Sequence, residues 1–449
     1  MRVIKNKLSK LLAAAVSRAQ GSSSRHTLAT NIIQQFCAAL IILYLPNILT
    51  KTDYAQVVFV TVLLSFMAFA DFGLSIVYGR AVPALLAQDN SDEIEIWNRT
   101  TLIFGLITSS FYSIIIALLY FMRYGSVVNT LLLLPMPFII FWFTLYVGRM
   151  TVRGDFRPYL KVNSWRYVSS LIVFPLAFFY GLTGWFMSQL IAALLGLLCL
   201  GKQLFRPLKK PHWPLVRTHL LEGVVLSLHN VLWTQLLYFA RLYASLVYKP
   251  EYTAGYGIIS TAYQSVSTLV ISVFLPVGVA IYTNYGKGEE KALAVANISV
   301  RRNFLWVSAI SIMLILIQPP LFRFCFPAYH FHGRGSTAML LCVMLAPFFL
   351  TYGWLMVARK QFKRYLMLVI VSLLISTAGA WLVDQYSSPR GGAWGQLIGV
   401  ASFTLLLFRS IYKNAGEHRY LLNVQVRYLS YAFALGITVL VLHALFIWP

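Results

Sequence analysis

The chain is poor in charge and poorest in acid. Its 449 residues hold 13 Asp and Glu against 37 Lys and Arg, and charged residues make up only 11% of the sequence. A soluble domain carries roughly 25% charged residues, so a water-soluble globular chain is excluded. Cysteine is scarce too: Cys37, Cys199, Cys325 and Cys342 fall in or beside apolar runs with no CxxC spacing. They read as buried free thiols rather than a disulfide frame. No GxxxxGK[ST], GxSxG or HExxH occurs, so ATP does not drive this chain directly and no hydrolase motif is present. His330 and His332 follow Cys325, but without a fourth ligand they read as loop residues. Neither a metal nor a cofactor is expected.

What is abundant is apolar surface: 59% hydrophobic and 15% aromatic residues, with a mean hydropathy of +0.71. That places the sequence among membrane proteins. A net charge of +24 suits a nucleic-acid partner only if the cations share a folded face. Here they sit in short clusters between long apolar runs, so nucleic acid is not expected and anionic membrane lipids are.

A spanning helix needs about 20 apolar residues. Thirteen runs qualify, near 27–49, 54–79, 100–121, 127–148, 167–183, 185–201, 219–246, 253–284, 303–322, 336–358, 365–383, 392–412 and 428–448. The fifth and sixth flank Gly181-Leu182-Thr183-Gly184 and predict a hairpin. With residues 1–26 placed in the cytoplasm, 30 of the 37 basic residues fall inside, 6 outside, and Arg241 within a helix. The alternation holds through all thirteen crossings, which supports both the count and a periplasmic C-terminus.

Lys51, Asp53 and Tyr54 match Lys249, Glu251 and Tyr252 at a constant offset of 198, and Asn31 matches Asn230 at 199. A parallel repeat of two six-helix halves follows. The expected plan is a basic segment 1–26, an N-lobe 27–201 (helices 1–6), an interlobe loop 202–218, a C-lobe 219–412 (helices 7–12), and a cytoplasmic loop with an added helix over 413–449. The fold class is an all-α polytopic membrane protein of two pseudo-symmetric lobes.

Polar residues concentrate on helices 1, 2, 7 and 8. Helix 7 carries Gly223, Ser227, Asn230, Thr234, Tyr238, Arg241 and Ser245 at steps of three and four, one narrow stripe. Helix 8 offers Gln264, and helix 1 offers Asn31, Gln34 and Gln35. Together they predict a shared hydrophilic cavity, with interhelical hydrogen bonding as the plainer reading. Arg241 is the sharpest residue, because an intramembrane Arg costs roughly 2.5–3.5 kcal/mol at mid-helix. It reads as a phosphate or carboxylate contact, or else as an ion pair with Asp71 or Glu222, or a snorkelling side chain. Asp71, near the cytoplasmic half of helix 2, and Glu222 are candidates for ion coupling or for a contact between helices. His229 lies off the stripe and reads as packing.

The run YAQVVFVTVLLSFMAFADFGLSIVYGRAVPAL resembles the second helix of the polysaccharide-biosynthesis, O-antigen (Wzx-type) flippases of the MOP superfamily, through Asp71, Gly73, Leu74, Ser75 and Arg80. KPEYTAGYGIISTAYQSVSTLVISVFLPVGVAIY is similar to that family's helix 8, through Tyr252, Gly255, Tyr256 and Pro276. The resemblance implies a MATE-like pair of six-helix lobes around a cavity lined by helices 1, 2, 7 and 8. It also implies alternating-access transfer of an undecaprenyl-diphosphate-linked oligosaccharide across the bacterial inner membrane, without enzymatic chemistry. The product would feed O-antigen, capsule or exopolysaccharide synthesis, and the partners implied are a polysaccharide polymerase and a chain-length regulator. Arg241 matches the family's cationic cavity in residue type and helix number only. Thirteen spans depart from the family's usual twelve or fourteen. The competing readings are a polymerase- or ligase-type membrane glycosyltransferase, disfavoured by short outer loops, and a drug/cation antiporter of the same superfamily.

Overall fold

The computed structural model describes residues 29–86, 89–200, 210–285, 288–329, 333–387, 389–415 and 419–442. The expected N-terminal segment 1–26 and the pair His330 and His332 lie outside them. The described chain is helical throughout, as a bilayer requires: backbone amides cannot reach water there, and only helices or closed barrels satisfy them internally.

The helices run in order α1 (Ala29–Ile48), α2 (Lys51–Ser65), a 3-10 turn (Phe66–Phe69), α3 (Leu74–Leu86), α4 (Ser91–Tyr124), α5 (Val127–Leu133), α6 (Met136–Arg153), α7 (Phe156–Ser169) and α8 (Val173–Leu198). Then follow α9 (Trp213–Leu237), α10 (Phe239–Val247), α11 (Pro250–Tyr285), α12 (Glu289–Cys325), α13 (Gly333–Met344), α14 (Ala346–Ala358), α15 (Phe362–Ser387), α16 (Gly391–Asn414) and α17 (Arg419–Leu442). Among the described residues nine helices are long and apolar enough to cross a membrane, or ten if the pair Gly335–Met344 and Ala346–Ala358, bent by 50°, is one span. The described part of each of the thirteen expected runs is helical, with short interruptions in some.

One of the nine, Phe156–Leu198, is not a single span. At Gly181 the backbone takes φ 57 and ψ −132 inside α8, and the two halves turn back on each other so tightly that a Cβ on Gly184 would strike the carbonyl of Leu176. The hairpin expected between helices 5 and 6 is present.

Two expected helices are broken instead of continuous. Helix 2, read as one span over 54–79, is interrupted between α2 and α3, where Phe72 (φ 49) and Gly73 (φ 75) are left-handed. Asp71 rebuilds the lost hydrogen bonding: its Oδ1 accepts from Gly73 N at 3.0 Å and its Oδ2 from Ser75 N at 2.7 Å. A carboxylate that accepts from amides at the start of a helix caps it from just outside its first turn, favoured further by the helix dipole. Gly223 closes the site, since a Cβ there would lie 2.6 Å from the Phe72 carbonyl oxygen. Helix 7, read as one span over 219–246, breaks at Tyr238 (φ −116, ψ 28) between α9 and α10. The amide of Ala240 donates instead to Gln396 Oε1 at 3.0 Å.

The helices gather into two compact units. The first comprises the described residues up to Ile41 with Ala70–Gly223, and the second Ile42–Phe69 with the chain from Val224 onward. Within the first unit, α6 ends in a turn where Gly154 (φ 77) and Asp155 donate back to Thr151 and Met150 at 3.1 and 2.9 Å. Within the second, α14 ends in the same turn: Lys360 (φ 57) and Gln361 donate to Val357 and Met356 at 2.9 and 3.1 Å. The paired hydrogen bonds are those of a Schellman C-cap. The sequences across the two turns, MTVRGDFRPY and MVARKQFKRY, share Met, Arg, Phe and Tyr, a repeat that the offset of 198 did not disclose.

All four cysteines are free. Cys37 and Cys342 are buried as expected, but Cys199 is exposed and Cys325 partly so. Cys199 is the C-cap of α8, at the helix end and past its packed face.

Candidate functional site

Asp71 (1% exposed) and Arg241 (4%) are the two charged residues buried as whole residues among those described. They differ in how well they are satisfied. The Asp71 carboxylate is committed to the two backbone amides that start α3. Arg241 sits in the first turn of α10, immediately after the Tyr238 break. One terminal nitrogen donates to Gln264 Oε1 at 3.4 Å, the guanidinium lies 5.5 Å from the centre of the Tyr238 ring, and Nε is enclosed with no acceptor.

The two carboxylates considered for Arg241 are each engaged within their own unit. Asp71 is a helix cap, and Glu222 bonds Arg80 at 2.8 Å on a half-exposed surface. Burial excludes snorkelling as well. The charge is instead wrapped in polarizable and neutral polar groups: the Tyr238 ring, the Gln264 amide and Tyr54, within electrostatic reach. Cation–π contact with a desolvated ring contributes roughly 2 kcal/mol, and a neutral amide cannot cancel a charge. A buried guanidinium with an unmet donor at the start of a helix has hydrogen-bonding capacity to spare for an anion.

The expected site residues are divided between the two units. Tyr238, Arg241 and Gln264 converge in the second unit. Asn230 and Thr234 lie below them on α9, joined by a 2.8 Å bond from the Thr234 hydroxyl to the Asn230 carbonyl. Asn31 and Gln35 are half-buried on α1 in the first unit. Asp71 and Glu222 belong to the first unit as a cap and a surface pair. Many hydroxyls of these helices turn onto their own helix: Thr61 onto Val57, Thr261 onto Gly257 and Ser245 onto Leu242, at 2.7 to 2.8 Å. Such back-bonding satisfies a hydroxyl without a ligand or a neighbouring helix. Ser65 additionally accepts from Gln235 Nε2 at 2.9 Å. His229 packs on Tyr365, ring centres 4.3 Å apart, in keeping with a packing role.

Two residues of the site escaped the sequence reading. Gln396 holds the Tyr238 break open from α16 and has no local signature. Tyr54 lies beside Arg241, and its recurrence as Tyr252 was the available signal. No cluster of three or more His, Cys, Asp or Glu that could hold a metal occurs among the described residues.

No protein-family model matches the chain, and no curated sequence matches it. Solved structures do. An inward-facing multidrug-resistance MATE transporter of the MOP superfamily superposes with a TM-score of 0.67 at 14% identity, over 87% of this chain and 98% of its own. A eukaryotic MATE transporter gives 0.65 at 13%, over 92% and 97%, and an outward-facing MATE transporter 0.64 at 14%, over 90% and 96%. The chain is a multi-pass membrane protein with the all-helical MATE/MOP fold.

Proposed function

We propose that the chain is an alternating-access transporter that flips an undecaprenyl-diphosphate-linked oligosaccharide across the bacterial inner membrane, with its N-terminus in the cytoplasm. The observation that carries this reading is Arg241: a buried cation with an unmet donor and, among the described residues, no carboxylate ion pair. An anionic diphosphate supplies what that guanidinium lacks, while Tyr54, Tyr238 and Gln264 offer stacking faces and hydrogen bonds suited to sugars. Discontinuous helices at the centre of transporters place such termini against anionic substrates, and helix 7 breaks three residues before Arg241.

The fold suits a drug/cation antiporter equally, and the sign of the site supports the first reading. A cationic substrate calls for an available buried carboxylate, and the Asp71 carboxylate is occupied by its cap. In a strain lacking the chromosomal copy, wild-type protein restores surface polysaccharide and Arg241→Gln, expressed to the same level, does not. Full display with Arg241→Gln would remove the assignment. Export of cationic dyes without any effect on polysaccharide would replace it with the antiporter.

A further inference from the structure

The first unit holds another arginine with an unmet donor, outside the site above. Arg149, in the last turn and a half of α6, turns inward between α3 and α4. One terminal nitrogen donates to the Asn98 carbonyl of α4, Nε is enclosed without an acceptor, and the guanidinium lies 5.2 Å from the centre of the Tyr146 ring. Its aim is fixed from behind: Tyr78 of α3, buried, donates to Asn98 Oδ1 at 2.8 Å and so pins the residue whose carbonyl Arg149 grips. Arg153, one turn further on, is exposed and within electrostatic reach of the same group, as is Glu95. Among the described residues no carboxylate forms an ion pair with either arginine.

The depth of Arg149 along the chain points to the same chemistry. Arg149 is where the apolar run 127–148 gives way to a stretch with five basic residues, Arg149, Arg153, Arg157, Lys161 and Arg166, and one acid, Asp155. That transition marks the boundary between hydrocarbon and headgroups, the depth of lipid phosphates. The C-terminal dipole of α6 accounts for a cation pointing to solvent, as Arg153 does. It does not account for an inward guanidinium held in place by two other helices.

We infer that Arg149 and Arg153 form a phosphate-binding site for a lipid headgroup at the basic end of α6, with Tyr78 and Asn98 as positioning residues. The inference is independent of the transport reading, because it concerns a different unit and needs no flipping.

The test is equilibrium binding to the full-length protein in detergent micelles, with three probes: short-chain phosphatidylglycerol, a short-chain polyprenyl diphosphate and inorganic pyrophosphate. Phosphatidylglycerol binding is expected to weaken about tenfold or more in Arg149→Gln and severalfold in Arg153→Gln, and to survive in part in Arg149→Lys. The two diphosphate probes are read in an Arg241→Gln background, where the transport site does not contribute, and the same losses are expected. Equal binding of pyrophosphate would assign the site to phosphate as such, and preference for the lipids to a headgroup. Arg153 is exposed, so Arg153→Gln folds even if Arg149→Gln does not. Unchanged affinity in Arg153→Gln, with wild-type affinity in any folded Arg149 variant, would overturn the site. Arg241→Gln leaves phosphatidylglycerol binding unchanged, so this site and the transport site fail separately.

Discussion

Removing the Asp71 carboxylate distinguishes a structural cap from an ion-coupling group. Asp71→Ala strips acceptors from the buried amide of Gly73 and the half-buried amide of Ser75, at 3.0 and 2.7 Å. Hydrogen bonds to a charged group contribute about 1.5–3 kcal/mol each. Some of the loss returns as the turn relaxes, so the expected cost is about 3–5 kcal/mol, above the roughly 0.5–2 kcal/mol of an ordinary cap. Asp71→Asn keeps one carbonyl acceptor and should cost about half as much. The assay is unfolding by denaturant in mixed micelles, followed by tryptophan fluorescence, with transport measured on the same preparations. The cap predicts a graded order, wild type above Asn above Ala, with transport per folded molecule changing little. Wild-type stability in both variants, together with equal loss of ion- or pH-dependent transport, would refute it.

Other substitutions probe the same logic. Gly223→Ala places a methyl 2.6 Å from the Phe72 carbonyl oxygen; overpacking of this kind costs about 1–3 kcal/mol, read as a lowered unfolding midpoint. Glu289→Ala strands Arg359, whose side chain is 4% exposed against 35% for Glu289; with one partner a third open to solvent, the expected cost is about 1–3 kcal/mol, below that of a fully buried pair. Glu289→Leu with Arg359→Met should recover much of that loss, and the double variant measured beside the two single ones checks it.

Apolar run length and the alternation of basic residues located the helices, because bilayer thickness and charge asymmetry act over twenty residues at a time. The Gly181 hairpin was legible because glycine at a tight turn is a local signal. The breaks at Asp71–Gly73 and Tyr238 were not. Each depends on distant groups, Gly223 in one case and Gln396 in the other, that close in only after folding, and periodicity runs through both without a fault. DFG-L-S was visible as a family resemblance, and only the structure shows it to be a cap and a left-handed turn. At the site, Arg241 stood out by its cost in a membrane. That Asp71 is spent on the start of α3 and Glu222 on Arg80 had to be seen in three dimensions. Asn31 and Gln35 were grouped with it by helical phase, which says where a side chain faces but not what stands opposite. Arg149 was counted with the loop cations because α6 continues beyond its apolar run.

The most direct test of the central claim is leaflet transfer in liposomes containing the purified protein, with a fluorescent polyprenyl-diphosphate-linked oligosaccharide quenched from outside. Wild-type protein should expose the inner-leaflet pool to the quencher, Arg241→Gln should not, and Arg241→Lys should recover part of the rate. Transfer at the wild-type rate by Arg241→Gln, or no transfer by wild-type protein that still moves cationic dyes, would contradict the account.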